Sequence, residues 1–280
     1  MKRHAKEIAT GRRFDFGENW KRFLSVVNDQ RIGQAEKSLC EMLGVANLNG
    51  KKFIDIGCGS GLFSLAAHRL GASVQSFDYD PTSVACTLEL KRRYFPADKE
   101  WTISEGTILD AAWIRSLGQF DIVYSWGVLH HTGAMWHALA NTVPLVDEHG
   151  KFFIAIYNDQ GKASIRWTKV KQMYNQMPPS LRFLIVGPAC VPLWGPTVLR
   201  DLLRGKPFHT WLHYRTERGM TAWRDVVDWV GGYPFEVAKP EEVIIFFQGY
   251  GFKIVKLKNC GKGHGCNEFV FINELSALKK

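Results

Sequence analysis

The residues best placed by type and spacing to do chemistry are Ile54-Asp55-Ile56-Gly57-Cys58-Gly59-Ser60-Gly61. They join a short apolar run, Lys51–Gly57, to a helical stretch, Leu62–Leu70. Glycines at such a corner let the backbone adopt positive φ and pass close to a ligand. A dinucleotide site wants G-x-G-x-x-G. Here the third glycine falls at Gly61 and Leu62 takes the dinucleotide position, which disfavours a nicotinamide oxidoreductase. A G-x-G-x-G corner houses no pyrophosphate, and Asp55, two residues before the first glycine, suits a cationic or amine-bearing ligand. Asp78 ends the next strand-like run, Ser73–Asp78, 21 residues after Gly57. An acid at that distance can accept both hydroxyls of a ribose. Tyr79 follows it, able to lie against an adenine face. Gly106 and Thr107, after Trp101–Glu105, stand where a ring edge can be read. The run Phe120–Trp126 then leads into Gly127-Val128-Leu129-His130-His131 at the mouth of the same cleft.

These residues need elements to hold them, and the chain supplies alternating strand and helix patterns. Pro81–Tyr94 is a helix with Asp80 as N-cap and Pro81 in its first turn. Gly133–Asp147 reads as helical, with Pro144 straining its last turn. Lys151–Asn158 is a fifth strand. The alternation predicts a parallel α/β sheet with right-handed crossovers. Between residues 159 and 239 the pattern breaks, with no clear strand and prolines at 178, 179, 188, 192, 196 and 207. It resumes with a helix, Pro240–Tyr250, and two strands, Phe252–Lys258 and Asn267–Asn273, whose short Gly-rich connector makes them antiparallel neighbours. An insertion of this length exceeds ordinary loops and suits a substrate cap. Phe183–Leu199 is uncharged, but its prolines argue for a buried cap helix or an irregular apolar wall and against a membrane span. Peripheral membrane contact remains open through the basic neighbours Arg182, Arg200, Arg204 and Lys206.

Composition sets the outer limits. The chain has 280 residues, 46% hydrophobic and 22% charged, which excludes a disordered protein. Six cysteines make no disulfide scaffold, and a basic N-terminus without an apolar stretch is no secretory signal, so a cytoplasmic protein is expected. The net charge is +9. Its excess lies in residues 1–22, with seven Lys/Arg against three acids, and in 159–239, with twelve against six. That is either a solubilising face or attraction to an anionic partner.

The combination DIGCGSG, FDYD, EGT and FDIVYSWGVLHH resembles the class I S-adenosylmethionine-dependent methyltransferases, in the broad group that includes ubiquinone-biosynthesis O-methyltransferases. The resemblance covers residues 50–158 and, in architecture, 240–273. It implies an α/β, Rossmann-like, seven-stranded mostly parallel sheet of order 3-2-1-4-5-7-6 with strand 7 antiparallel. A helical or irregular insertion then lies between strand 5 and the last helix. The implied domains are an N-terminal arm with helices (1–50), a donor-binding domain (51–158 with 240–280) and a substrate-cap insertion (159–239). The implied cofactor is S-adenosyl-L-methionine, leaving as S-adenosyl-L-homocysteine. Asp55, Gly57 and Gly59, with Cys58 and Gly61 in the same turn, would line its methionine portion. Asp78 would hold the ribose, and Tyr79, Gly106 and Thr107 would surround the adenine. Trp126 and His130 would face the sulfonium and the acceptor.

Methyl transfer from a sulfonium is an in-line displacement, so the protein chiefly aligns the partners and excludes water. A hydroxyl acceptor must also lose a proton, which makes His130 and His131 candidate bases, His130 ahead, against the alternative that both are structural. Tyr157 and Asn158 at the end of strand five are acceptor-binding candidates. So are Asp225 and Tyr233 in Asp225–Glu236, where a helix ends at a glycine pair as a closing lid would require. Phe14–Trp20 is either a flap across the donor cleft or a surface helix. Cys260, His264 and Cys266 are spaced unlike a zinc ribbon, and no metal is expected. The favoured activity is O-methylation of a small molecule: a phenolic, quinone-like or sugar hydroxyl, anionic or lipid-linked. A tRNA or rRNA methyltransferase is the alternative, though the Asn/Asp-Pro-Pro-aromatic turn is absent after strand four. A non-catalytic donor-binding partner protein is the third reading.

Overall fold

The computed structural model describes residues 2–218, 222–261, 263 and 265–274. The chain forms two compact units, Met1–Phe16 with Gly161–Phe235, and Gly17–Gln160 with Glu236–Lys280. The first unit opens the chain with α1 (Lys2–Ala9). The second, the sheet unit, then runs α2 (Gly17–Phe23), α3 (Asp29–Leu43), β1 (Lys52–Ile56), α4 (Leu62–Arg69), β2 (Ser73–Asp78) and α5 (Pro81–Tyr94). It continues through β3 (Trp101–Glu105), α6 (Ala111–Ser116), β4 (Phe120–Trp126), α7 (Met135–Thr142) and β5 (Val146–Tyr157). The first unit resumes with α8 (Lys162–Gln176), α9 (Phe183–Leu203), α10 (His209–Arg218) and α11 (Ala222–Gly231). α12 (Pro240–Gln248), β6 (Phe252–Lys258) and β7 (Cys266–Asn273) complete the sheet unit.

The seven strands lie in the order β3-β2-β1-β4-β5-β7-β6, with β7 antiparallel to both neighbours and the other pairs parallel. This is the fold the sequence implied. The inner strands β1, β4, β5 and β7 bury both faces, because side chains alternate across a sheet covered by helices on either side, while the edge strand β6 is largely exposed. Ile54, Ile56, Val123, Phe152, Ile154, Phe269 and Phe271 meet α7 and α12 through Ala138, Leu139, Val243 and Phe247. Phe53, Val74, Ile122, Phe153 and Val270 meet α3, α4 and α5 through Ile32, Leu39, Leu65 and Leu90. A parallel sheet opens its carboxyl edge to ligands, and every candidate on β1, β2, β3 and β4 sits at that edge.

Several local signals act as read. Asp80 caps α5 by accepting the Thr82 N–H at 2.8 Å, and Pro81 fills the first turn, where no N–H is needed. Two readings are corrected. The expected helix over Gly133–Asp147 is shorter: α7 ends at Thr142, a 3-10 turn covers Val143–Leu145, and β5 already begins at Val146. Pro144 has no N–H to give to the Ala140 carbonyl, and the Val143 N–H bonds that carbonyl instead. The second correction concerns Phe183–Leu199, which is neither irregular nor wholly buried. It lies in one helix, α9, carrying Pro188, Pro192 and Pro196 inside it. All three are exposed and recur every four residues along one side, where water can reach the carbonyls they leave without a donor.

In the first unit Phe14, Tyr174, Ile185, Val186, Ala189, Trp194, Val226 and Val230 form a separate apolar cluster. Lys171, on α8, is buried beside it. Its ammonium donates to the Trp229 carbonyl and lies 4.4 and 4.6 Å from the ring centres of Trp229 and Phe235. Asn175 donates to the Gly231 carbonyl at 2.7 Å. α8 thereby holds the carboxyl end of α11.

Candidate active site

The corner between β1 and α4 is built from main chain. The N–H groups of Gly57 and Cys58 both reach the Phe77 carbonyl of β2, at 2.8 and 3.1 Å, and the Gly61 N–H closes on the Cys58 carbonyl at 2.8 Å. Gly57, Gly59 and Gly61 all have positive φ. At Gly57 the need is also steric, because a Cβ would lie 2.4 Å from Val128 Cγ1. The Asp78 carboxylate is fixed from two sides: Oδ2 accepts the Gly59 N–H and Oδ1 the Asp80 N–H, each at 2.9 Å. These bonds fix the orientation of the carboxylate. Gly106 donates to the Asp78 carbonyl at 3.0 Å, and a Cβ there would lie 2.0 Å from the Trp113 ring. Thr107 opens the turn into α6, its hydroxyl accepting the Leu109 N–H at 3.3 Å.

Asp55 is buried and faces α4. Its Oδ2 accepts from Ser64 Oγ at 2.5 Å, Ser64 accepts from Ser76 Oγ at 2.8 Å, and Ser76 accepts from the Trp101 indole N–H at 2.9 Å. Burial pushes the Asp55 carboxyl up to about 7, the nearby Asp78 charge adds to this, and the Ser64 bond opposes it. A buried carboxyl so poised becomes fully ionised when a cation comes close. Cys58 is buried too, and Thr87 bonds its sulfur at 3.2 Å and the Gly59 carbonyl at 3.3 Å. Burial raises this thiol well above its ordinary range, so Cys58 is a packing residue and not a nucleophile. The indole of Trp20, on α2, lies against Gly59, about where its Cβ would fall, at 3.0 Å. Asp80 and Thr82 press closer still on Gly17, 2.3 and 2.5 Å from where its Cβ would fall. The Gly17–Trp20 part of the aromatic arm is therefore a helix lying on the donor corner.

The family model of the methyltransferase domain matches residues 54–152, from β1 into β5. Residues 54–152 thus carry a methyltransferase domain, and the sheet around them has the fold of the class I S-adenosylmethionine-dependent methyltransferases. Among curated relatives, a ubiquinone biosynthesis O-methyltransferase of Caulobacter sp. (strain K31) is 27% identical over 146 residues, 50% of this chain and 53% of that protein. A ribosomal protein L11 methyltransferase of Methylococcus capsulatus is 40% identical over 75 residues, 26% of each. The chain spans about half the length of the first and about a quarter of the second. Among solved structures, magnesium protoporphyrin IX methyltransferase from Synechocystis PCC 6803 with bound SAH has a TM-score of 0.52 at 14% identity, covering 88% of each chain. PKMT2 from Rickettsia typhi reaches 0.56 at 13%, covering 86% of this chain and 52% of that one. At these identities the likeness is one of fold.

The methyltransferase sheet carries the remaining candidates on its β4 and β5 ends. Trp126 is 45% exposed at the rim. His130 and His131 form a buried 3-10 turn with Leu129. The His130 ring lies tilted 4.0 Å from Tyr157 and meets His131 edge-on at 4.5 Å. Its Nδ1 accepts the Tyr157 N–H at 3.3 Å, and its carbonyl accepts the Glu236 N–H at 3.0 Å. The His131 ring meets Tyr157 edge-on at 5.4 Å. Glu236, which sequence reading passed over, accepts the Met135 N–H at 3.0 Å and so caps α7 directly after the histidine turn. Asn158 ties the sheet edge together. It accepts from Asn267 Nδ2 at 3.0 Å and donates to the carbonyls of Gly261 and Gly265 at 2.9 and 3.0 Å. Tyr79 follows Asp78 and is half-buried.

Asp225 and Tyr233 lie in the other unit, Asp225 on α11 and Tyr233 just beyond it, where its carbonyl accepts the Phe14 N–H at 2.8 Å. Cys260 and Cys266 flank the β6–β7 turn, while His264 and Lys262 lie outside the described residues. The residues missed from sequence are Ser64, Ser76, Trp101 and Glu236. None carries a local signal, because each acts across the fold.

Proposed function

We propose that the chain binds S-adenosyl-L-methionine at the Gly57–Gly61 corner and methylates an oxygen of a small molecule, a phenolic, quinone-like or sugar hydroxyl, releasing S-adenosyl-L-homocysteine. The observation that carries this reading is the Asp78 carboxylate held at the glycine corner by the Gly59 N–H. The corner fits the donor in kind: a glycine-lined stretch of main chain, one carboxylate for a diol, and a second, Asp55, for a cation. Gly57, Cys58, Gly59 and Gly61 hold the methionine portion, Asp78 the ribose, and Tyr79, Gly106 and Thr107 the adenine. When bound, S-adenosylmethionine supplies a methyl group already activated on sulfur. The chain must then orient the acceptor, exclude water and take up the acceptor's proton. Trp126, at the rim, shields the reacting side.

The two histidines divide the work. His130 Nδ1 accepts a main-chain N–H, so its neutral tautomer carries hydrogen at Nε2 and neither nitrogen is open to a further proton without losing a bond. His130 therefore positions Tyr157 and His131, and His131 is the base. His131→Ala is expected to lower kcat about 100-fold or more with donor affinity unchanged. Loss of activity in His130→Ala alone would reverse the assignment. Tyr157 and Asn158 line the acceptor side, and Asp225→Asn and Tyr233→Phe test their acceptor roles by a raised KM at unchanged kcat.

Calorimetry with S-adenosylhomocysteine tests the donor half, with Asp78→Asn expected to weaken binding at least about tenfold. Transfer of labelled methyl to a panel of phenols, catechols and sugars tests the acceptor half. Binding without transfer to any acceptor class would leave a donor-binding partner protein. A second reading, methylation of tRNA or rRNA, is favoured by the net charge of +9. It predicts label in RNA and binding that falls steeply with salt. A cytoplasmic location belongs to the same proposal.

A further inference from the structure

α9 has two faces that need different surroundings. Ile185, Val186, Ala189 and Trp194 join the apolar cluster of their own unit. Leu184, Val191, Leu199, Leu202 and Leu203 are exposed, Val191 by 71% and Leu203 by 80%. At 100° per residue, Leu184, Val191 and Leu202 fall within about 20° of one another, so they form one ridge along the helix. Phe208 and Leu212, just beyond, are exposed as well. A run of large apolar side chains left in water opposes folding and solubility, and it marks a surface meant to be covered.

The charges around the ridge indicate what covers it. Residues 182–213 hold four basic side chains, Arg182, Arg200, Arg204 and Lys206, and one acid, Asp201. Asp201 is buried: the Thr210 N–H and hydroxyl reach it at 2.7 and 2.9 Å, and Arg200 lies 3.7 Å from it. The unit that carries the ridge has sixteen Lys/Arg against six Asp/Glu, while the sheet unit has twenty against twenty-one. The whole positive excess of the chain therefore lies in the unit that carries the apolar face. A second copy of this face would bring like charges together, whereas an anionic surface would meet complementary ones.

By length and composition α9 could cross a bilayer. Its prolines decide otherwise. Pro188, Pro192 and Pro196 leave the carbonyls of Leu184, Pro188 and Pro192 without helix donors, on the exposed side. Hydrocarbon cannot satisfy those groups, but hydrated headgroups can. We propose that α9 lies in the plane of a membrane, with Leu184, Val191, Leu199, Leu202 and Leu203 in the acyl boundary and Arg200, Arg204 and Lys206 on anionic lipid headgroups. The surface is independent of methyl transfer, and its test uses neither donor nor acceptor.

The test is co-sedimentation of the full chain with phosphatidylcholine vesicles, with and without phosphatidylglycerol. Binding is expected to be at least about tenfold tighter with the anionic lipid. Val191→Asp/Leu202→Asp is expected to lower it about tenfold or more at an unchanged melting temperature. Arg204→Glu/Lys206→Glu is expected to remove the preference for anionic lipid. Leu203→Asp, at the most exposed position, replaces the double variant if that one unfolds. Absence of binding to both vesicles, or equal binding by the apolar variants and the wild type, would overturn the proposal. So would a solution dimer that Val191→Asp/Leu202→Asp dissociates, since a second copy would then be the occupant.

Discussion

Asp55 sits where a carboxyl gains most from a visiting cation. Burial pushes it up to about 7, and Ser64 holds its Oδ2. An ammonium or sulfonium nearby favours the charged form, so donor binding should release a proton and tighten as pH rises through about 7. The dissociation constant of S-adenosylhomocysteine is expected to fall between about pH 6 and 8, and Asp55→Asn to flatten that profile. Calorimetry in buffers of different ionisation enthalpy reads the proton directly. The same shift has a stability consequence of opposite sense. The folded Asp55 keeps a proton that the unfolded chain gives up above its ordinary value of 3.8. Its contribution is therefore present below that pH and is lost as pH rises through about 7. Gly57 presents a different single-residue constraint. Gly57→Ala meets Val128 Cγ1 at 2.4 Å and a φ of 76°. The expected cost is about 2–4 kcal/mol, seen in denaturant melts. Val128→Ala in the same chain should restore only the steric share.

At the scale of elements, two helix ends are held by residues far away in sequence. Glu236 accepts the Met135 N–H and fixes the start of α7 just after the histidine turn. Glu236→Ala is expected to cost about 1 kcal/mol and to lower kcat, because the turn it braces carries His130 and His131. Glu236→Gln, which keeps an acceptor, should recover most of both. In the other unit Lys171 pins the carboxyl end of α11 through the Trp229 carbonyl and two aromatic faces. Burial lowers its ammonium to about 7, opposed by Asp228. Between about pH 7 and the ordinary value of 10.5 the folded state has lost a proton that the unfolded state keeps. Stability should therefore rise with pH across that window in the wild type and stay flat in Lys171→Met. Urea melts at a series of pH values make the comparison, and parallel curves for the two proteins would contradict it.

For the whole molecule, the division of charge between the units separates two kinds of binding. The donor corner is local and buried, so S-adenosylhomocysteine affinity is expected to change less than about threefold between low and high salt. Any anionic surface met by the Met1–Phe16 and Gly161–Phe235 unit should be lost steeply over the same range. Titrations of both ligands on one preparation test this. Equal salt dependence would mean that the basic unit has no anionic partner.

The amino-acid sequence determined what short-range rules control. Asp80-Pro81 starts a helix wherever it stands, alternating apolar runs make buried strands, and Gly57, Gly59 and Gly61 allow a corner that other residues resist. The sheet and its ligand edge were legible for that reason, and the strand order came with the family resemblance. Tertiary contact decided the rest. Asp55 is poised through Ser64, Ser76 and Trp101, three residues from three elements with no shared local pattern. Trp20 reaches Gly59, and Glu236 reaches Met135 across about a hundred positions, and no periodicity records such pairs. The side of α9 that faces water also waited on the fold. A helix apolar all round acquires an inside only when Phe14, Tyr174, Val226 and Val230 arrive from elsewhere in the chain to cover one of its faces.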